Sequence, residues 1–211
     1  MDLAGDPEAL WKGFDAKLRN QIRKGEKAGF QVRWGRDQVE TFHRVLLENL
    51  RDLGTPLRGT AYFRDAVDAL GDGVDLLVIA APEGPAGTMF LAHHRGTAND
   101  PWASSLRRYF ARCPNQVLYW EALKRAIALG CTRFDFGRSQ PGSGTFHFKQ
   151  QWGATPVPLY YQYVLGRVTK PPTLEDQKHG YGLAVQVWKR LPLPIAAALG
   201  EPAKKMFPEV L

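Results

Sequence analysis

The chain has 211 residues, of which 44% are hydrophobic and 23% are charged, a composition that excludes an intrinsically disordered protein. Its formal net charge of +7 favours an anionic partner, such as a phosphate, a nucleic acid, a lipid surface or an acidic small molecule. The acidic start "MDLAGDPEAL" and the lack of a long apolar run argue against a signal peptide and a membrane span, so we expect a cytoplasmic protein. Cys113 and Cys131 lack the spacing of metal ligands, and we expect two reduced thiols and no metal.

Apolar residues at four-residue spacing predict a single amphipathic helix within residues 1–29. Its buried stripe consists of Leu10, Phe14, Leu18 and Ile22. Asp6 and Pro7 fit the start of this helix, and Gly29 fits its end. The opposite face is basic, and its candidate anion-binding or donor-binding residues are Arg19, Arg23 and Lys27. Two interpretations stay open for that face, a solvated surface and a contact surface for phosphates.

The next segments predict a strand, two helices and a hairpin, in that order. The strand is "FQVRW", and the helices are "QVETFHRVLLENLRDLG" and "AYFRDAVDAL". On the first of these helices His43 is expected to lie opposite the apolar face. The strands "VDLLVIAA" and "AGTMFLAHH" form the hairpin around the turn "PEGP", and we expect "GTANDP" to be a loop.

The remaining core segments complete an α/β (α+β) fold. "WASSLRRYF" is a candidate third hairpin strand, and "NQVLYWEALKRAIALG" is a helix. They are followed by the strand "TRFDF", by the short helix "SGTFHFKQQW" with Ser143 or Thr145 as its cap, and by a last strand, "VPLYYQYVLG". Hairpins followed by a strand–helix–strand crossover predict a mixed, mostly antiparallel sheet flanked by helices.

The tail of the chain differs in composition, because prolines interrupt its helical pieces. We therefore predict a leading helix at residues 1–29, a main domain at 30–168 and an extension at 169–211. The extension either packs on the domain or forms a peripheral contact with the inner face of a membrane. The second interpretation depends on the apolar residues Trp188, Leu191 and Ile195 and on the basic residues Lys189, Arg190, Lys204 and Lys205.

The stretch "FDFGRSQPGSGTFHFKQQWG" contains several side chains with candidate chemical roles. Asp135 lies at the end of a predicted strand, and Arg138 and Ser139 follow where ligands of such sheets tend to bind. Lys149 lies in the next helix, where its ammonium could hold an anion or stabilise an oxyanion, or else reach solvent or pair with Asp135. No motif of a serine hydrolase, a P-loop nucleotidase or a zincin occurs.

Several segments resemble a known family, namely "KLRNQIRKGEKAGFQV", "LRDLGTP", "PWASSLRRY", "FDFGRS" and "GTFHFKQQWGA". From about Leu10 to Leu165 the chain is similar to FemAB-related proteins of PEP-CTERM and exopolysaccharide systems, which have a GNAT-like fold and are close to the BioF-like acetyltransferase group. The resemblance implies transfer of an acyl or aminoacyl group to an amine in cell-envelope or exopolysaccharide biosynthesis. Phe148 and Lys149 match a Phe-Lys pair whose lysine is thought to stabilise charge at the transferred carbonyl.

The candidate site follows from this combination of pattern and resemblance. Its predicted catalytic residues are Lys149 and Asp135, and its predicted substrate-binding residues are Phe148, Arg138, Ser139, Trp152, Ser104 and Arg107. The resemblance implies an aminoacyl-tRNA donor, as in Fem-type ligases, or an acyl-CoA donor, as in other GNAT enzymes. The junction "RRYFARCPNQ" has arginines but lacks the glycines that hold coenzyme A pyrophosphate, which favours the larger donor.

Fem-type proteins generally pair two GNAT-like halves, and this chain resembles the second half. A second half or a second copy of the chain is therefore an expected partner. A rival hypothesis is a non-catalytic half-domain that binds an anionic glycan, a lipid head group or RNA through its basic helix.

Overall fold

The computed structural model describes residues 1–162, 164 and 182–206. The chain divides into two compact units. The first, here called the sheet unit, comprises Met1–Asn49 and Thr60–Thr155, and the second, here called the tail unit, comprises Leu50–Gly59 and Pro156–Leu211.

The sheet has five strands in the order of the sequence. They are β1 (Gln31–Trp34), β2 (Val74–Ala81), β3 (Gly84–His94), β4 (Thr97–Ser105) and β5 (Arg133–Asp135). Strands β1 to β4 are antiparallel, whereas β4 and β5 are parallel. This mixed, mostly antiparallel sheet flanked by helices confirms the predicted fold class.

Helices flank the sheet and form the described part of the tail. They are α1 (Pro7–Gly13), α2 (Ala16–Lys27), α3 (Val39–Leu53), α4 (Thr60–Leu70), α5 (Pro114–Ala128), α6 (Gly144–Gln151), α7 (182–188) and α8 (Leu193–Met206). A short 3-10 segment, Arg107–Arg112, connects β4 to α5. None of the described helices is long and apolar enough to cross a membrane.

The prediction of one leading helix is wrong, because the chain breaks between α1 and α2. Phe14 ends α1 in an extended conformation, and the carboxylate of Asp15 then accepts the N–H of Leu18 at 2.6 Å to cap α2. The predicted apolar stripe is nevertheless buried along its whole length, with Leu10 at 7% exposure and Ile22 at 0%. A local cap thus interrupts the helix without changing which residues face the core.

The two faces of the sheet carry different cores. Helix α5 packs on one face together with α1 and α2, and its Leu118 is fully buried. On the other face, Phe42 of α3 makes edge-on ring contacts with Phe63 of α4 and Phe90 of β3. The prediction for His43 is wrong, because this side chain is 8% exposed and its ring lies 5.8 Å from that of Phe63.

Two strand predictions need correction. "GTANDP" is not a loop: β4 begins at Thr97, where the segment pairs with both neighbouring strands. The predicted last strand "VPLYYQYVLG" is not formed by residues 157–162 and 164, and its other residues lie outside the described ones. The free edge of β5 is instead covered by the first residues of the chain, since the N–H of Phe134 bonds to the carbonyl of Met1 at 2.9 Å.

Candidate functional site

Strand β4 carries a bulge, and its pairing with β5 is short. Phe90 of β3 pairs with Trp102 and Ala92 with Asn99, so that two β4 residues, Asp100 and Pro101, lie opposite one residue of β3. The parallel pairing with β5 ends at Asn99, whereas β4 continues to Ser105. The residues of β4 beyond Asn99 are therefore unpaired on the β5 side, and this opening lies at the carboxyl ends of the two parallel strands, which is the part of such a sheet where ligands bind.

The bulge places an acid, Asp100, at a half-buried position where one of its two carboxyl oxygens is fully buried. The hydroxyl of Tyr119 in α5 donates to Oδ2 of Asp100 at 2.6 Å, and the buried Oδ1 has no hydrogen-bond partner. Burial raises the pKa of the Asp100 carboxyl to about 7, against the lowering effects of the Tyr119 hydrogen bond and the positive charge of Lys149. This carboxyl therefore titrates near neutral pH, where a proton acceptor is most effective.

Lys149 lies near the end of α6, and its ammonium holds the loop that follows β5. Ser143 caps α6 by accepting the N–H of Phe146 at 3.1 Å, as predicted for this helix. The Nζ of Lys149 donates to the carbonyls of Gly137 at 3.2 Å and Arg138 at 2.8 Å. An ammonium has three N–H groups, so one donor remains for a ligand.

Two acidic side chains, those of Asp100 and Asp135, influence the pKa of Lys149. Burial lowers the pKa of the Lys149 ammonium, and the negative charges of Asp100 and Asp135 oppose that shift. Asp135 itself is exposed, and its carboxylate accepts the N–H of Gly137 at 2.8 Å. The negative charges of Asp135 and Asp100 thus both act on Lys149, and Asp100 is a residue that the sequence did not single out.

The other predicted residues of the loop are also close to Lys149 in the fold. Arg138 is exposed at the surface, and its carbonyl is one of the two acceptors of the lysine. Ser139 follows directly, and its hydroxyl oxygen is buried without a partner. A buried unpaired hydroxyl is costly unless a ligand or a water completes it.

Aromatic rings support this site from the core side. The ring of Phe148 is half-buried and meets Tyr119 edge-on at 5.0 Å. Trp152 is 0% exposed and packs 5.4 Å from Phe14 and 5.9 Å from Tyr119. Its position makes Trp152 a support for Tyr119 rather than a surface for substrate, whereas Phe148 keeps an exposed part.

Ser104 and Arg107 lie apart from this cluster. Ser104 is 6% exposed, and its hydroxyl accepts the amide of Asn49 in α3 at 3.1 Å, on the opposite face of the sheet from Tyr119. Arg107 is exposed at the start of the 3-10 segment. The structure brings neither residue to Lys149.

The basic face of α2 lies beside the start of α5. A surface cavity of about 430 Å³ is lined by Asn20, Arg23, Lys24, Lys27 and Ala28. Gly25 brings the two helices close, since a Cβ on it would lie 3.0 Å from the carbonyl oxygen of Cys113. Of the three predicted anion-binding residues, Arg23 and Lys27 line this cavity and the half-buried Arg19 does not.

The start of α5 is where a GNAT-like fold would hold the pyrophosphate of coenzyme A, and its residues do not fit that group well. Pro114 at the first helical turn has no N–H, and the N–H of Val117 bonds to the carbonyl of Cys113. Arg112 supplies a positive charge there, but it pairs with Glu83 at 3.1 Å. Among the described residues, no three His, Cys, Asp or Glu side chains are grouped as metal ligands.

Sequence reasoning missed Asp100 and Tyr119. Asp100 belongs to "NDP", a combination typical of turns. Tyr119 lies in a predicted helix, where packing of the apolar face is enough to account for an aromatic residue. An acid directly before a proline inside a β segment is a signal for a bulge, and it could have indicated Asp100.

The fold is similar to those of several solved structures. FemX matches with a TM-score of 0.63 and 16% identity, over 70% of this chain and 56% of FemX. L-PGS from Bacillus licheniformis matches with a TM-score of 0.52 and 15% identity, over 68% of this chain and 54% of L-PGS. AAC(6')-Iy, solved with the bisubstrate analog CoA-S-monomethyl-acetylneamine, matches with a TM-score of 0.50 and 16% identity, over 64% of this chain and 99% of that one.

At these identities the likeness shows the fold alone, and the matched part spans only about half the length of FemX and of L-PGS. No curated protein matches the chain. The family model described as "Acetyltransferase (GNAT) domain" matches residues 12–150, which is more than half of the 211 residues. The chain therefore belongs to the GNAT acetyltransferase-domain family.

Proposed function

We propose that the chain is a Fem-like N-acyltransferase, which moves an acyl or aminoacyl group from an activated ester or thioester to an amine acceptor in cell-envelope or exopolysaccharide assembly. The observation that carries this proposal is the buried, unpartnered oxygen of Asp100 in the electric field of Lys149, at the bulge of β4. Membership of an acyl-transfer family supplies the reaction class.

The proton acceptor of the proposed reaction is Asp100. The amine nitrogen attacks the carbonyl carbon, a C–N bond forms, and the C–O or C–S bond to the donor breaks. Oδ1 of Asp100 takes the proton that the nitrogen loses and returns it to the leaving group, while Tyr119 holds Oδ2. Because Oδ1 is buried, the acceptor reaches it by entering where β4 and β5 no longer pair.

Lys149 stabilises the oxyanion in this mechanism. Two of its N–H groups are used by the loop carbonyls, so the ammonium is held in place before substrate arrives, and the third can donate to the carbonyl oxygen. Asp135, Arg138 and Ser139 lie beside it and orient the acceptor. No covalent intermediate with the protein is needed.

The donor that we propose is aminoacyl-tRNA, held through its phosphates by Arg23 and Lys27 on α2. The bulge at Asp100 favours a second candidate, acyl-CoA, because a splayed β4 is what a thioester donor of a GNAT enzyme would need. The poor fit of the start of α5 to pyrophosphate weighs against it.

The experiment is a transfer assay with Lys149→Met. Radiolabelled alanyl-tRNA and acetyl-CoA are each offered with a panel of primary amines, and donor binding is measured in parallel. We expect transfer to fall about 100-fold, as for loss of one oxyanion donor, with donor binding unchanged. Lys124→Met is the matched control, because Lys124 pairs with Glu121 on α5 and should keep full activity.

Full transfer by Lys149→Met would contradict the catalytic role. Binding of alanyl-tRNA that is lost in Arg23→Ala/Lys27→Ala would support the larger donor, and binding of acetyl-CoA alone would replace it by acyl-CoA. Binding of either donor without transfer to any amine would favour a non-catalytic half-domain.

We also propose that a second GNAT-like half or a second copy completes the acceptor side, since the match covers 56% of FemX. Light scattering under the conditions of the transfer assay measures the molar mass and tests whether a second copy is bound. A protein that is active and remains a monomer would contradict the role of a second copy.

A further inference from the structure

The two described helices of the tail unit expose apolar side chains in pairs. On α7, Leu183 is 81% and Val187 is 55% exposed, and on α8, Ile195 and Leu199 are each 45% exposed. Residues four positions apart share one face of a helix. Each helix therefore has an outward apolar face, and these four side chains are here called the tail aliphatics.

Other residues of the same helices are already used for packing. Val185 of α7 lies against Gly54, where an added Cβ would come within 2.5 Å of its side chain. On α8, Ala196 is 0% exposed and Gly200 lies against the carbonyl of Leu57. The tail aliphatics are therefore not the residues through which the two helices pack, because other residues of the same helices make those contacts.

Polar contacts also fix the two helices to the segment 50–59. Arg51 donates to the carbonyl of Leu191 at 2.7 Å, and Arg58 pairs with Glu201 at 3.2 Å. The N–H of Gly59 adds a bond to the same carboxylate at 3.3 Å. The tail aliphatics are therefore presented by an ordered pair of helices.

The charged residues within 182–206 are almost all positive. Lys189 and Arg190 lie at the corner between α7 and α8, and Lys204 and Lys205 lie at the end of α8. Within residues 182–206 the one acid is Glu201, which Arg58 neutralises. Aliphatic groups with flanking cations are the composition of a helix that lies in the plane of an anionic membrane surface.

We propose that α7 and α8 dock on an anionic lipid leaflet, with the tail aliphatics in the boundary between head groups and acyl chains. The four cations of the tail argue against the same face of a second copy as the occupant, because like charges would repel each other there. Neither helix spans the bilayer in this arrangement, so the contact is peripheral. The inference does not depend on the acyl-transfer proposal.

Sedimentation with lipid vesicles tests the proposal on the full chain. Vesicles of phosphatidylcholine are compared with vesicles that contain phosphatidylcholine and phosphatidylglycerol in equal parts. We expect binding to the phosphatidylglycerol vesicles that decreases with added salt, and little binding to phosphatidylcholine alone. Leu183→Ser/Val187→Ser and Lys189→Glu/Arg190→Glu should each weaken the binding roughly tenfold or more.

Matched controls lie in the sheet unit. Leu70→Ser removes an exposed aliphatic of α4, and Lys12→Glu/Lys17→Glu reverses two exposed cations, and both variants should bind as the wild type does. Circular dichroism shows whether each variant is folded. If an aliphatic variant does not fold, the variant Lys189→Glu/Arg190→Glu still tests the proposal, because both of its side chains are exposed.

Three results would overturn the proposal. The first is absence of binding to phosphatidylglycerol vesicles, and the second is equal binding to both kinds of vesicle. The third is equal weakening by the Lys12/Lys17 control, which would mean that overall charge and not the tail attracts the protein.

Discussion

The sheet unit and the tail unit depart from ordinary burial in opposite ways. In the sheet unit the departure is a buried carboxyl oxygen, since Oδ1 of the half-buried Asp100 has no partner and burial raises the pKa of the carboxyl to about 7. In the tail unit the departure is exposed aliphatic surface, with Leu183 at 81% exposure. A buried polar group without a partner costs free energy, and an exposed apolar face marks a surface for interaction, so each indicates a position that a ligand or a surface would complete.

Scattered exposed apolar residues occur in the sheet unit as well, but they do not form pairs on a helix face. The large ones that the structure describes there are Val32, Tyr62, Leu70 and Phe110. Single exposed residues of this kind are normal in soluble proteins. The comparison therefore distinguishes a packed sheet unit from a segment that presents its apolar side chains outward.

The largest expected effect on stability lies in the core of the sheet unit. Trp152→Ala should lower the free energy of unfolding by about 3–5 kcal/mol, because the ring is 0% exposed and supports both Phe14 and Tyr119. Urea denaturation measures the loss. Phe110→Ala is the control, since 48% exposure predicts a small effect, and equal losses in the two variants would contradict the assignment of Trp152 to the core.

Asp100→Asn should have opposite effects on activity and stability. Transfer at pH 8 should fall about 100-fold, because an amide cannot take the proton of the acceptor. The wild-type rate should rise with pH up to about 7, where the carboxyl becomes ionised, and the variant should lose this dependence. A rate of Asp100→Asn equal to the wild-type rate at pH 8 would contradict the role of proton acceptor.

The stability effect of Asp100 follows from the direction of its pKa shift. The normal value is 3.8 and the folded value is about 7, so between these pH values the folded chain binds a proton that the unfolded chain has released. The contribution of Asp100 to stability is therefore fully present below pH 3.8 and is lost as pH rises through 7. Asp100→Asn should be more stable by about 2 kcal/mol at pH 8, less than the shift alone implies, because its amide N–H groups are unpaired.

Denaturation of wild type and Asp100→Asn at pH 5 and pH 8 measures this difference. The difference in the free energy of unfolding between Asp100→Asn and the wild type should be smaller at pH 5 than at pH 8, because at pH 5 the wild-type carboxyl is mostly protonated in the folded chain. A gain of the same size at both pH values would mean that packing, and not ionisation, distinguishes the two side chains.

Much of the fold followed from local pattern, and the errors have tertiary causes. The β2–β3 hairpin and α6 with its Ser143 cap were predictable, because alternation and capping are local signals. The break at Asp15 was hidden by an apolar stripe that continues through it. The covering of the β5 edge by the first residues of the chain could not be predicted either, because it joins residues that are far apart in the sequence.

The site was predictable only where its residues are neighbours in the sequence. Asp135, Arg138, Ser139 and Lys149 come from one stretch, and the loop after β5 brings them together. Asp100 and Tyr119 join them only through the parallel pairing of β4 with β5 and the packing of α5 on the sheet. The Asp-Pro pair is a local signal for the bulge, but the burial of the carboxyl oxygen is a property of the assembled sheet and has no local signature.

The smallest expected effect on stability belongs to the tail aliphatics. Leu183→Ser should change the free energy of unfolding by less than about 0.5 kcal/mol, because a side chain that is 81% exposed loses little when it becomes polar. Urea denaturation of the chain in the absence of lipid measures it, with the half-buried Val185 changed to Ser as the packed control. A loss of more than about 1 kcal/mol in Leu183→Ser would mean that this side chain is packed in the folded protein. The outward apolar face would then be part of the core, and the difference between the two units would disappear.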